Sequence, residues 1–118
     1  MKNLTLLLAL TLSSIAFCQT NKLEGSWSCY EQTSYITTIS VNSKTGLIEK
    51  VHSYSSYTGN SVTEEIIEQD SDVLKTKFYF EKDDWRVRST FVSIDENTMK
   101  RTTSGSNEAV LIYKKVNN

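Results

Sequence analysis

Beyond the first 18 residues, apolar and polar positions alternate in short runs with a period of two and show no helical spacing, so one side of each run turns inward and the other meets water. The clearest case is the run 73–81: Leu74, Thr76, Phe78 and Phe80 share one face, and Lys75, Lys77, Tyr79 and Glu81 share the other. The run 85–94 repeats the pattern, with Trp85, Val87, Ser89 and Phe91 against Arg86, Arg88 and Thr90. Clusters rich in Gly, Asn, Asp and Ser separate such runs, at 42–46, 58–61, 70–72, 82–84, 95–97 and 104–107. The runs are rich in Val, Ile, Thr, Tyr, Phe and Trp, and the chain has no proline to interrupt a ladder. Strands are predicted at 25–32, 34–41, 47–56, 62–69, 73–81, 85–94, 98–104 and 109–116. The fold class is all-β: a single up-and-down antiparallel meander of about eight strands. Because an open sheet of that size would leave two unpaired edges, it is expected to close into a small barrel.

Turn lengths set the expected register. A two-residue turn at Lys82 and Asp83 pairs Phe80 with Trp85 and Phe78 with Val87, bringing both apolar rows inside. It also sets Lys77 beside Arg88 on the outer wall. A tight turn at Asp70 and Ser71 places Glu64 opposite Lys77 outside, and turns Glu65 inward beside Ile67. A three-residue loop of Asp95, Glu96 and Asn97, with Asn97 left-handed, pairs Phe91 with Arg101 and sends Arg101, Met99 and Thr103 inward. A buried charge needs a partner. The expectation is therefore that Glu65 and Arg101 compensate one another or sit at the rim, or that Arg101 holds a carboxylate at the end of an apolar ligand.

The first 18 residues have a different texture. Lys2 precedes an apolar stretch from Leu4 to Phe17 and then small residues, the layout of a secretory signal, too short to span a bilayer comfortably. Residues 1–18 are expected to be a cleaved signal peptide and 19–118 one barrel domain, exported to the periplasm or beyond. The alternative is a lipid anchor on Cys18. Removing the leader takes one of 13 basic residues and none of the 14 acidic ones, so the mature chain stays mildly acidic and nothing favours nucleic acid. With Cys18 removed no internal disulfide is expected, and Cys29 is expected to be a buried small hydrophobe. Transmembrane spans are not expected.

The run Leu23-Glu24-Gly25-Ser26-Trp27 carries a resemblance. Gly25-Ser26-Trp27 is similar to the G-x-W signature that opens strand one of the calycin barrels, the lipocalins and fatty-acid-binding proteins, and the chain most resembles the short bacterial lipocalin-like domains. Val110 to Lys115 is similar to their closing strand. The resemblance implies that Trp27 packs across the closed end of the barrel beneath a basic side chain, here Lys114 or Lys115. It also implies a binding protein for a small apolar or amphipathic, carboxylate-bearing ligand.

On that reading the ligand-lining residues are Trp27, Phe78, Phe80, Trp85, Phe91, Arg101 and Tyr113. So many bulky side chains leave the interior either largely filled or just open to one small molecule. The second reading is a protein-interaction or inhibitor module of the cell envelope with a filled barrel, its contacts made by Tyr30, Tyr35, Tyr54 and Tyr57. His52 is the only histidine, no Cys/His spacing suits a metal, and no nucleophile-elbow sequence is present. No cofactor, metal site or enzymatic activity is expected.

Overall fold

The structure, a computed structural model, describes residues 21–32 and 34–116. The expected leader and Cys18 lie outside the described residues. Eight strands follow one another as β1 (Gly25–Cys29), β2 (Tyr35–Val41), β3 (Ile48–Ser55), β4 (Ser61–Gln69), β5 (Val73–Phe80), β6 (Trp85–Asp95), β7 (Thr98–Gly105) and β8 (Ala109–Lys115). Every neighbouring pair is antiparallel, and β1 returns to pair with β8, so the sheet is a closed barrel in chain order. The expected all-β meander is therefore observed. The first strand ends earlier than predicted: Tyr30–Gln32 coil into a 3₁₀ turn, where the Cys29 thiol donates to Glu31 Oε2 at 3.0 Å.

One end of the barrel is plugged. Trp27 is fully buried; its indole Nε1–H donates to the Leu23 carbonyl at 2.9 Å, and Lys115 Nζ lies 5.3 Å from its ring centroid. Lys115 therefore takes the covering position, while Lys114 donates to Thr98 Oγ1 at 2.9 Å. Gly25 makes this closure possible. Its φ of +134° suits glycine, and a Cβ there would stand 2.7 Å from Lys115 Cε. Around Trp27 the core is made of Leu23, Ile39, Ile48, Val51, Leu74, Phe91 and Met99, all buried.

The register between β5 and β6 is as expected, with Phe80 opposite Trp85, Phe78 opposite Val87 and Lys77 opposite Arg88. The connection is longer than a two-residue turn: Glu81–Asp83 form a 3₁₀ turn and Asp84 is left-handed. Phe80 and Trp85 do not reach the core, and remain 46% and 41% exposed. The hairpin outruns its neighbours, since the β4 ladder reaches only Lys77 and the β7 ladder only Val87, so no flanking strand covers its tip.

Between β6 and β7 the predicted pairing of Phe91 with Arg101 holds, for a different reason. The turn is one residue tighter, with Asp95 opposite Thr98, and a bulge between Ser93 and Asp95 absorbs the spare residue. Asn97 is not left-handed; its backbone N–H donates to Asp95 Oδ1 at 2.9 Å. That bond, with help from Thr98, holds the Asp95 carboxyl below the ordinary aspartate range.

The β4–β5 register departs from expectation and alters the interior. Asp70 Oδ1 accepts from the backbone of Asp72 and Val73, both at 2.9 Å, so the turn centres on Ser71 and Asp72. That two-place shift alone would keep the faces. A bulge between Ile66 and Glu68 then exchanges them for the first half of β4. Glu65 is thus outside, opposite Lys77 and in an ion pair at 3.6 Å, and Glu64 is inside and 5% exposed. Ile67, expected inside, is 48% exposed, while Ile66 packs on the core. The gap beside the bulge is closed by a side chain. Gln69 accepts from the Ile48 N–H at 2.7 Å and donates to the Ile48 carbonyl at 2.9 Å, taking the place of a backbone pair.

Candidate functional site: a cavity above a buried ion pair

Away from Trp27 the interior is open. A cavity of about 310 Å³ is lined by residues from every strand except β1, which places it inside the barrel. Val62, Phe78, Trp85, Val87 and Leu111 give it apolar walls, and Thr37, Ser53, Glu64, Arg101, Thr103 and Tyr113 give it polar groups. Pairing shows how these are layered. Trp85 and Val87 are at the loop end of β6, and Phe91, two inward positions deeper than Val87, faces Arg101. An apolar collar therefore stands above a polar floor.

The floor is a network. Arg101 Nη2 donates to Glu64 Oε1 at 2.9 Å, and the two side chains are only 14% and 2% exposed. Arg101 Nε donates to Ser89 Oγ at 3.0 Å and Nη1 to the Tyr113 hydroxyl oxygen at 3.3 Å. Its guanidinium carbon rests 4.8 Å from the Phe91 ring centroid, a cation over an aromatic face. Thr76 Oγ1 donates to Glu64 Oε1 at 2.8 Å, and the Thr37 and Ser53 hydroxyls meet at 2.8 Å. Burial raises the Tyr113 phenol above its ordinary value, with nearby Arg101 opposing the rise, so Tyr113 stays a neutral hydroxyl across the physiological range.

The residues singled out in the sequence fall into three places. Phe78, Trp85, Arg101 and Tyr113 line the cavity. Phe91 and Trp27 lie in the packed core, Phe91 beneath the guanidinium and Trp27 at the plugged end. Phe80 stands half-exposed at the hairpin tip. The four tyrosines do not form one surface. Tyr35 lines the cavity, Tyr54 is 48% exposed, and Tyr30 and Tyr57, at 89% and 90%, project from segments at the open end.

Glu64 is the cavity-lining residue that sequence reasoning assigned to the wrong face, as it did its neighbour Glu65. The doublets Glu64-Glu65 and Ile66-Ile67 were the available signal, because a regular strand cannot turn both members of either pair inward. Cys29 is buried as expected. Among the described residues, no group of three or more His, Cys, Asp or Glu is placed to hold a metal, and no helix is long and apolar enough to cross a membrane. His52 Nδ1 lies 2.9 Å from Thr63 Oγ1.

Fold and site together define a class: a small, closed, eight-stranded antiparallel barrel with one plugged end and one hollow end. Compared with family models, curated proteins and solved structures, the chain matches none.

Proposed function

We propose that this chain is an exported, lipocalin-like carrier or receptor for one small amphipathic molecule, held in the hollow half of the barrel, and that it has no catalytic role. The observation that carries this reading is the cavity, with apolar walls and the Arg101 cluster at its base. Its volume is at the lower end of the roughly 300–1,000 Å³ range of ligand sites, so the occupant is small. The G-x-W opening and the covering of Trp27 by Lys115 support the lipocalin-like part, and the leader pattern of residues 1–18 supports export.

Filling the cavity tests the proposal. Val87 faces inward and is 7% exposed, so Val87→Trp places an indole where the ligand belongs. Binding of the neutral fluorophore phenylnaphthylamine should be lost while the far-ultraviolet circular dichroism stays that of the native barrel. Undiminished binding by the folded variant would contradict the proposal.

A second reading, a protein-interaction module, is favoured by Tyr30 and Tyr57 alone, whose rings stand almost wholly in water at the open end. It predicts a partner that protects those two rings and leaves the cavity untouched.

A further inference from the structure

Resting on the ligand-binding reading above, we infer that the cavity selects an uncharged head group that both donates and accepts hydrogen bonds, such as a primary amide or an alcohol, and discriminates against a carboxylate. An inward arginine by itself would favour an anion. Here Glu64 already answers it at 2.9 Å, and both side chains are largely buried. The floor carries one charge of each sign. A carboxylate arriving at Arg101 would have to stand beside the Glu64 carboxylate in a medium that screens poorly, or displace it and leave it buried without a partner.

The bonding pattern of the pair says what does fit. Both hydrogen bonds that Glu64 accepts go to Oε1, from Thr76 and from Arg101, so Oε2 has no donor among the described residues. The Arg101 guanidinium has five N–H groups and spends one on each nitrogen, toward Ser89, Tyr113 and Glu64. One N–H remains on each of Nη1 and Nη2. Both residues line the cavity. Adjoining residues at its base thus keep an acceptor and donors for a head group, complementary to a group such as –CONH₂ or –OH. The collar of Val62, Phe78, Val87 and Leu111 above them takes a short apolar tail.

The test is a series with one tail and three heads: octanamide, octanol and octanoate, each competed against phenylnaphthylamine at neutral pH on the wild-type barrel. Octanamide and octanol should displace the fluorophore with at least roughly tenfold lower dissociation constants than octanoate, a factor worth about 1.4 kcal/mol. Glu64→Gln removes the negative charge and keeps a side chain of the same shape, so octanoate should gain and the order should narrow or invert. Octanoate binding the wild-type barrel as tightly as octanamide would overturn the inference while leaving the ligand-binding reading in place. If the fluorophore and all three compounds fail to bind, the ligand-binding reading falls and the inference falls with it.

Discussion

Arg101 shows how a single side chain fixes the character of an interior. Its neighbours are a carboxylate, two hydroxyls and an aromatic face, which together replace the water it loses. Truncating it leaves Glu64 charged and buried, and breaking such a pair from one side costs about 3–5 kcal/mol. Arg101→Ala should lower the urea-unfolding free energy by that order. Arg101→Met combined with Glu64→Leu removes both charges and should recover most of the loss. A double variant no more stable than Arg101→Ala would show that the two charges are not coupled. That one of the neighbours Lys100 and Arg101 faces inward was legible in the chain, since only one can face out; that it is Arg101 followed from a three-residue loop in whose place the structure has a tighter turn and a compensating bulge. The partner of Arg101 was not legible, because the choice between Glu64 and Glu65 depends on a register set elsewhere.

Of the three bulges among the described residues, at Glu49, Ile67 and Ile94, the last two set the geometry around the site, and only the Ile66-Ile67 doublet leaves a trace of one in the sequence. Turn residues announce where a hairpin reverses, yet the pairing beyond the turn depends on whether one strand holds an extra residue. At Ile94 the bulge compensated a turn shorter than expected, so the sequence-based pairing of Phe91 with Arg101 survived. At Ile67 nothing compensated, and the first half of β4 turned over. The competing apolar residues Ile66 and Ile67 are the local cause, since only one can be buried in a regular strand. The Gln69 side chain then carries the hydrogen bonds that the bulge denies to Ile48. Gln69→Ala should expose that debt: Ile48 is 3% exposed, and leaving its N–H and carbonyl unmet costs about 1–3 kcal/mol each. Chemical denaturation should show a loss of about 2–6 kcal/mol for the two groups together, with faster amide exchange at Ile48. Unaltered stability and exchange would mean that water or backbone readily substitutes.

Across the whole molecule, a chain of this size divides its barrel into two uses. The half around Trp27 is filled with apolar side chains and supplies the stability of a closed sheet. The other half gives up packing for a space of about 310 Å³ bounded by polar groups. Both ends of this arrangement had sequence signals, G-x-W for the plug and the inward arginine for the cavity floor. The outer limit of the hollow half had none, because Phe80 and Trp85 carry the same alternation as Phe78 and Val87 and differ only in lacking flanking strands. The most direct measurement is a methyl and arginine side-chain NMR titration of the wild-type barrel with octanamide. Shifts at the methyls of Val62, Val87 and Leu111 and at Arg101 Nε–H, with Val110, Ile112 and Ile94 on the outer wall unmoved, are the predicted result. Shifts confined to the outer wall, or none at saturation, would contradict the account.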